Sequence, residues 1–271
     1  MDSLNALKIR WTDKSLRDAR TQARIWDGVA EEFCAHELPD YETNGFLKLL
    51  ETFASPAPHM SVLDIGCGCG GYTLALAKRV GSAQGVDISP KMLGHARARA
   101  EIMSLGNAEF RCMDWAQADI DALGFRRRFD IVFAHMTPAI SDFDTFDKLN
   151  ACSKKYCLMS KPARRRDRIQ DRAFEIVGIG GGREHDDGIV HAFEYLWYSG
   201  LRPQLVYSDE VWESARSADA MAAWCIDRAR LLRQLSPAEE DAMRAYVAGL
   251  AVDGIVRETV TTTVVTMYWQ V

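Results

Sequence analysis

The spacing of apolar positions divides the chain into an N-terminal helical stretch and a longer region in which strands and helices alternate. Residues 13–36 carry apolar side chains at helical spacing, which predicts one helix. A second helix is predicted near Glu42–Thr52, between Pro39 and Pro56. From Ser61 onward the apolar positions gather in short runs separated by helical segments. The pattern therefore predicts an N-terminal helical segment followed by an α/β region.

Seven of the short apolar runs are predicted to be strands. They are Ser61–Ile65, Ala83–Asp87, Ala108–Cys112, Phe129–His135, Tyr156–Ser160, Gln204–Val211 and Glu258–Gln270. The helices predicted between them are Tyr72–Val80, Lys91–Met103, Asp187–Tyr198, Ser214–Leu232 and Pro237–Ala251. Strands that alternate with helices favour a doubly wound, mostly parallel seven-stranded sheet with helices on both faces.

The last predicted strand differs from the others. Glu258–Gln270 is long, rich in β-branched residues and interrupted by polar positions, unlike a typical buried parallel strand. We expect it to pair antiparallel at the edge of the sheet. The two helices before it would then form a small helical cap, inserted at about residues 213–252. The predicted organisation is an N-terminal segment, residues 1–58, packed on a main domain, residues 59–271.

Charge and composition narrow the classes of partner. The 271 residues are 48% hydrophobic and carry a formal net charge of −5, so no general phosphate-binding field is expected and nucleic acid is an unlikely partner. The one dense basic run, Lys161–Arg172, also contains Asp167 and Asp171. We interpret it as the solvated face of a helix.

Several features predict a cytoplasmic protein without a membrane segment. No apolar stretch approaches the roughly 20 residues that span a bilayer. The first residues, MDSLNALKIRW, lack the order of a signal peptide. Seven cysteines at irregular spacing do not suggest a disulfide framework. Cys67 and Cys69 stand between glycines, where we attribute them to their small size.

The segment Asp64–Gly71 carries the clearest chemical signal. It follows a predicted strand and precedes a predicted helix, and its glycines permit a tight turn and close approach of a ligand to the backbone. The free N–H groups of the helix N-terminus add a partial positive charge. Strand, glycine turn and helix together predict a nucleotide or nucleoside site.

Two classes of cofactor compete for this loop. Gly66, Gly68 and Gly71 satisfy the GxGxxG pattern of dinucleotide-binding proteins. Asp64 favours the other class, because a carboxylate beside the turn attracts a cationic ligand and repels a diphosphate. Asp87, at the end of the second strand, suits the ribose of either cofactor. The acid beside the turn therefore favours S-adenosylmethionine (SAM), which carries a sulfonium and an α-ammonium group.

At this point the sequence resembles the class I SAM-dependent methyltransferases. The matching motifs are VLDIGCGCGG, GVDISPKML, FRCMDW and FDIVFAHMTPA, within about Ser61–Ser160. The resemblance implies SAM as the cofactor, a terminal antiparallel strand and the following set of cofactor-binding residues: Asp64, Gly66, Cys67, Gly68, Gly70, Asp87, Ile88, Met92, Asp114, Trp115 and His135.

The resemblance also implies individual roles. The Asp64 position serves the methionine end of SAM and the Asp87 position binds the ribose. Ile88 and Met92 line the nucleoside pocket, and Asp114 binds the adenine amino group with Trp115 beside the ring. Structural alternatives remain open: the first two acids as helix caps, Asp114 as a loop acid, and Met92 and Trp115 as core residues.

The predicted reaction is in-line methyl transfer to a small molecule, through an O, N or S nucleophile. His135 ends the fourth predicted strand, where substrates of this family lie, and is the one candidate for a general base. The following residues, Met136–Ala139, do not match the NPPY-like turn of enzymes that methylate planar amino groups. Several aromatic residues are candidates for the acceptor pocket, namely Trp26, Tyr195, Trp197, Tyr198, Trp212 and Trp224.

Other interpretations of the sequence remain. A methyltransferase acting on RNA or protein is the first alternative, an NAD(P)-dependent oxidoreductase the second, and a SAM-binding module without catalysis the third. His185, Asp186, Asp187 and His191 form a tempting metal cluster. An acid pair that stabilises a helix N-terminus explains them more simply, so no metal is predicted.

Overall fold

The computed structural model describes residues 3–12, 18–180 and 187–271, and its centre is one seven-stranded sheet. The strands are β1 (Ser61–Ile65), β2 (Ser82–Asp87), β3 (Ala108–Cys112), β4 (Phe129–His135), β5 (Ser153–Arg166), β6 (Gln204–Ser217) and β7 (Ile255–Gln270). The helices are α1 (Ser3–Arg10), α2 (Ala19–Gly28), α3 (Ala30–Cys34), α4 (Gly45–Ala54), α5 (Gly71–Ala77), α6 (Pro90–Ile102), α7 (Phe143–Cys152), α8 (Arg168–Ile176), α9 (Asp187–Tyr198), α10 (Ala218–Arg230) and α11 (Pro237–Ala248).

The strand order is β3-β2-β1-β4-β5-β7-β6, which confirms the predicted doubly wound α/β sheet. Strands β1 to β5 pair in parallel, and β7 pairs antiparallel with both β5 and β6. The antiparallel last strand is therefore confirmed, but its predicted position at the sheet edge is wrong. β6 takes the edge, and β7 lies between β5 and β6, because the chain returns from the cap into the space between them.

Three strands are longer than predicted. β5 continues through Arg166, so residues 161–166 of the basic run belong to a strand and only the part from Arg168 is helical. β6 continues to Ser217, where a helix was predicted to begin at Ser214. A strand with one solvated face accepts alternating charged residues, which explains how a run of arginines can be extended. The outer halves of β5, β6 and β7 project past the ends of β1 to β4.

Each face of the sheet has its own apolar core. On one face α1, α7 and α9 pack around Phe146 and Trp269. On the other face α4 and α5 pack around Leu50, Phe133 and Leu158. Trp269 belongs to the first of these cores and Phe133 to the second, so they lie on opposite sides of the central strands. Both are almost completely buried. In the described ranges, no helix combines the length and apolar character needed to cross a membrane.

The projecting strands carry a third apolar cluster, which we call the helical cap and which consists of α8, α10 and α11. Met221, Cys225 and Met243 are fully buried within it, together with Val256 of β7. The sequence prediction anticipated α10 and α11 but placed the α8 segment outside the cap. The division of the chain at residue 58 stays a prediction.

The N-terminal residues form a covering layer over one end of the sheet, where a single helix over residues 13–36 was predicted. The structure has two helices, α2 and α3, which meet at Val29 with φ −110° and ψ 7°; residues 13–17 lie outside the described ranges. We call α2 and α3 together the roof. Asp27 of the roof accepts hydrogen bonds from Ser89 Oγ and from the Lys91 backbone N–H, at the start of α6.

A buried carboxyl pair links the cap to the projecting strands. Burial raises the pKa of Glu258 to about 8, and a hydrogen bond to Asp167 contributes in the same direction. Asp167 also accepts hydrogen bonds from the Gln170 backbone N–H and from Arg165. Glu258 is therefore protonated in the folded protein at neutral pH, whereas its carboxyl group in the unfolded chain ionises near 4.5.

This pair predicts a pH dependence of stability. The folded state holds the Glu258 proton between pH 4.5 and about 8, so the free energy of unfolding falls as pH rises through that window. We expect Glu258→Gln to remove this part of the slope, measured by denaturant unfolding at several pH values. Glu213→Gln, at an exposed position of β6, is the matched control and should keep the wild-type slope. Parallel slopes in Glu258→Gln and wild type would contradict the assignment.

Candidate functional site

The glycine turn between β1 and α5 is built from residues in the left-handed region. Gly66, Gly68 and Gly70 have φ of 72°, 52° and 75°, values that favour glycine. The N–H groups of Gly66 and Cys67 both donate to the Val86 carbonyl, at 2.8 and 3.0 Å. These bonds join the turn to β2, so the turn and the end of β2 form one rigid unit.

The turn is also tightly enclosed. A Cβ atom on Gly66 would lie 2.0 Å from Thr137 Oγ1, in the loop after β4. A Cβ atom on Gly70 would lie 2.8 Å from the ring of Phe110 on β3. At Gly68 the nearest atom would be Met92 Sδ, at 3.5 Å. Three parallel strands and α6 thus converge on the turn, as expected for a ligand site at the carboxyl ends of the strands.

Two carboxyl groups lie at this turn. Asp64 is buried, accepts a 2.6 Å hydrogen bond from Thr73 Oγ1, and has its pKa raised to about 7 by burial, with Asp87 adding to the effect. Asp87 accepts hydrogen bonds from the backbone N–H groups of Gly68 and Ser89, each at 2.8 Å, and burial raises its pKa. Two adjacent acids, one buried and one half-buried, make this end of the sheet favourable for a cation.

The remaining predicted cofactor residues lie farther along the same edge. Ile88 is half-buried and Met92 is buried against Ala30 of the roof. Asp114 accepts a hydrogen bond from the Ala116 N–H and borders an open groove of about 450 Å³. Trp115 belongs to the core: it is 3% exposed, and its Nε1–H donates to the Thr145 carbonyl. The structure therefore brings Asp64, the glycines, Asp87 and Met92 together and places Trp115 in a packed, hydrogen-bonded position.

His135 stands at the end of β4 in an aromatic wall. Its ring centroid lies 4.3 Å from that of Phe46 and 4.4 Å from that of Tyr72. Within the described part of the chain its Nδ1 atom has no hydrogen-bond partner. Burial lowers the pKa of His135 to about 3, so the imidazole is neutral in the free protein. A neutral ring with an unpaired nitrogen can accept a hydrogen bond from a ligand.

The loop after His135 is held in a strained conformation. Met136 has φ 53°, which is uncommon for a residue with a side chain, and its N–H donates to the Ser160 carbonyl. Lys161 Nζ donates to the Thr137 and Ile140 carbonyls. The β4 loop is thereby fixed against both β5 and the glycine turn, which is the kind of strain found at functional sites.

Sequence reasoning missed several residues of this wall. Tyr72 begins the helix after the glycines, and Phe46 lies on α4, far away in the chain. Burial raises the pKa of Tyr72, and the nearby charges of Asp64 and Glu210 raise it further. Glu210 accepts a 2.7 Å hydrogen bond from Trp212 Nε1–H on β6. Trp212 was among the aromatic residues predicted for the acceptor pocket. The alternation of exposed and less exposed positions along β6 was the one sequence signal that could have indicated Glu210.

The other candidate aromatics separate into two groups. Trp26 of the roof lies edge-on to Trp224 of α10, with ring centroids 6.3 Å apart. Tyr195 is buried in the core beside Phe146. Trp197 and Tyr198 are exposed, being 63% and 46% accessible. The α9 aromatics therefore stand apart from the glycine turn, whereas the tryptophan pair joins the roof to the cap.

A disulfide bond between Cys34 and Cys69 corrects two predictions. It connects α3 of the roof to the glycine turn, with Cα atoms 5.6 Å apart. Cys69 was attributed to small size alone, and the chain was expected to lack structural disulfides. The sequence separation of 35 and the absence of any local motif explain why sequence spacing did not reveal the pair.

No metal centre is found in the described ranges, where no group of three potential ligands converges. His191 pairs with Glu194 at 3.2 Å, and its ring is tilted against that of Trp11 with centroids 5.7 Å apart. His185 and Asp186, which completed the candidate cluster, lie outside the described residues. His191 and Asp187 are the described members of that cluster.

Comparison with known proteins finds similarity to methyltransferases. A model described as a methyltransferase domain matches residues 62–155. The chain is 32% identical over 134 residues to the 23S rRNA (uracil(1939)-C(5))-methyltransferase RlmD of Xylella fastidiosa, covering 47% of this chain and 29% of that protein. It is also 32% identical over 110 residues to nocamycin O-methyltransferase of Saccharothrix syringae, covering 40% and 36%. The chain thus spans about a third of the length of these curated relatives.

Solved structures agree with the fold. Phosphoethanolamine N-methyltransferase 2 of Haemonchus contortus, solved with S-adenosylhomocysteine, superposes with a TM-score of 0.53 at 17% identity over 93% of this chain and 58% of that one. A methyltransferase structure from Bacillus halodurans gives 0.50 at 16% identity, over 84% and 99%. At this identity the similarity shows the fold.

The strand order with antiparallel β7, the glycine turn after β1 and the acid after β2 define a Rossmann-like sheet of the kind found in solved methyltransferases. Residues 62–155 therefore match a methyltransferase domain, and the sheet as a whole has the fold of solved methyltransferases. The nicotinamide alternative loses its support, because β7 and the matched domain belong to the methyltransferases.

The glycine turn gives a test of its own. Gly66→Ala places a Cβ atom against Thr137 at a left-handed φ, so we expect it to lower the free energy of unfolding by on the order of 1–3 kcal/mol. It should also weaken binding of S-adenosylhomocysteine (SAH). Gly94→Ala is the matched control, because Gly94 is exposed on α6 and an added Cβ atom would meet nothing within 4 Å. That substitution should stabilise the protein by about 0.5–1 kcal/mol. Equal effects from the two substitutions, measured by denaturant unfolding, would contradict the crowding at the turn.

Proposed function

We propose that this protein transfers the methyl group of SAM to a small-molecule acceptor. The observation that carries the proposal is that the roof contacts both β6 and the cap beside the sheet edge at the glycine turn, which we call the donor edge. Glu32 of the roof pairs with Arg216 of β6 at 2.7 Å, and Trp26 packs against Trp224. An enclosed, partly aromatic site suits a compact ligand better than a polymer.

The donor half of the proposal rests on the two acids. The Asp64 carboxylate would attract the α-ammonium of SAM, directly or through water, and Asp87 would exchange its backbone partners for the ribose hydroxyls. The N–H groups of the turn would face the SAM carboxylate. Met92 would pack along the nucleoside, and Asp114 would bind the adenine amino group from the neighbouring groove. The proximity of Asp64, Asp87 and Met92 at one end of the sheet supports these roles.

The acceptor half rests on the wall of His135, Tyr72 and Phe46. The sulfonium–methyl bond breaks as the acceptor–methyl bond forms, and SAH leaves. The neutral His135 would accept a hydrogen bond from an N–H or O–H acceptor and aim its lone pair at the methyl carbon. Holding the two groups in line contributes roughly 7–11 kcal/mol of the barrier reduction. With its low pKa, His135 orients the acceptor, and the acceptor's proton passes to solvent.

A macromolecular acceptor is the second candidate, and one observation favours it: the relatives include an RNA methyltransferase. Arginine-rich residues 164–168 also lie at the outer end of β5 and the start of α8. Against it stand the formal charge of −5 and the roof. The match to that RNA enzyme covers 29% of its length. The acceptor experiment below therefore includes RNA and protein.

The Asp64 role predicts a pH-dependent affinity for SAH. The Asp64 pKa of about 7 means that the acid loses its charge as pH falls below 7, so SAH affinity should fall there as well. Asp64→Asn should bind SAH about 10- to 100-fold more weakly at pH 8 and show a flatter pH dependence. Calorimetry measures both proteins, with NADH as a control ligand. Tight binding of NADH, or an unchanged affinity in Asp64→Asn, would argue against the donor site.

The His135 role predicts a separation of binding from turnover. Wild-type protein is first screened with SAM against small amines, phenols, carboxylates and thiols, and against RNA and protein. With the acceptor so found, His135→Ala should lower kcat by about 100-fold, because the acceptor loses its orientation. SAH affinity should change little. His59→Ala, at an exposed position below β1, should behave as wild type. Turnover with RNA or protein alone would refute the small-molecule assignment.

A further inference from the structure

The Cys34–Cys69 bond ties the roof to the glycine turn. Cys69 lies inside the glycine turn, between Gly68 and Gly70, and Cys34 ends the roof helix α3. The N–H of Gly68, next to Cys69, is bonded to Asp87. A covalent bond at this place therefore fixes the roof directly to the donor-binding backbone.

The other contacts between the roof and the rest of the protein are not covalent. Ala30 and Cys34 pack on Met92, and Asp27 accepts hydrogen bonds at the start of α6. Arg99 of α6 donates to the Cys34 carbonyl, and Trp26 lies edge-on to Trp224 of the cap. The ion pair of Glu32 with Arg216 includes a half-exposed carboxylate, and such pairs stabilise weakly. Two short helices held in this way can open by local unfolding once the covalent link is removed.

The remaining cysteines differ from this pair. Burial raises the pKa of Cys152, Cys157 and Cys225 to about 12, and it raises the pKa of Cys67 well above its usual value. Thiols of this kind are inert at neutral pH, because the thiolate is the reactive form. Cys69 is half-buried and Cys34 is buried, so Cys69 is the more exposed residue of the pair. Cys112 on β3 is the exposed free cysteine, and the disulfide is the cysteine site that joins the roof to the turn.

We propose that Cys34 and Cys69 form a reversible thiol–disulfide site that controls exchange of SAM and SAH. The disulfide holds the roof over the glycine turn, and its reduction allows α2 and α3 to move away. The reductant is a dithiol. One of its thiolates attacks Cys69 Sγ, the Cys34–Cys69 bond breaks, and a mixed disulfide forms. The second thiol of the reductant then displaces Cys69, so the dithiol supplies two electrons and two protons and becomes a disulfide itself.

The consequence is kinetic. If ligands leave through an open state of the roof, the bond lowers the population of that state and slows release in proportion. The inference rests on the proposed donor site but is independent of the acceptor. It can therefore be tested with SAH alone.

The experiment compares SAH release from the oxidised protein, prepared with glutathione disulfide, and from the same protein treated with dithiothreitol. Displacement of SAH is followed by stopped-flow fluorescence. We expect reduction to speed release by about tenfold or more. Cys34→Ser and Cys69→Ser should each release SAH at the fast rate, with or without reductant. Cys112→Ser, which removes an exposed thiol outside the pair, is the matched control and should keep the response to dithiothreitol.

A second measurement follows the roof itself. Hydrogen exchange should become faster in residues 19–34 after reduction and stay unchanged in α7 and β7. Equal release rates in the two redox states would overturn the proposal, as would intact-mass analysis showing that both thiols stay free in glutathione disulfide. Failure of SAH to bind in either state would instead refute the donor site, which keeps the two conclusions distinguishable.

Discussion

The bonds from Gly66 and Cys67 to the Val86 carbonyl are the constraint on which this site depends. They lock the turn after β1 to the end of β2, and this brings two buried carboxyl groups to one edge of the sheet. Glycines in the left-handed region allow the backbone to form this turn, and Thr137 and Phe110 pack against it. A cationic cofactor is attracted to this edge because desolvated acids interact strongly with an opposite charge.

The second organising feature is the length of β5, β6 and β7. Their outer halves carry the helical cap past the ends of the central strands, to the side where the glycine turn opens. The roof crosses from α6 to this cap, and its contacts at Met92, Arg216 and Trp224 join both sides of the site. The position of the roof therefore determines access to the donor edge. The Cys34–Cys69 disulfide connects the roof to the glycine turn at this edge.

Local pattern predicted much of the fold. β1, β3 and β4 begin and end where the apolar runs do, and α6 begins one residue before the predicted helix start at Lys91. The errors occurred where context overrides local preference. The local sequence around the arginines of β5 predicted the solvated face of a helix. They form a strand instead, because β7 supplies backbone hydrogen-bond partners up to Arg166. The end of β6 was predicted wrongly for the same reason, since its pairing partner lies some forty residues later.

The resemblance to methyltransferases, the glycine turn and the acids at Asp64 and Asp87 follow from the amino-acid sequence, because they depend on short motifs whose chemistry is local. The aromatic wall around His135, the core position of Trp115 and the Cys34–Cys69 bond do not. Each joins residues that are distant in the chain, and no pattern within one segment encodes which segments meet. Those contacts arise when the sheet is assembled and the helices pack on it.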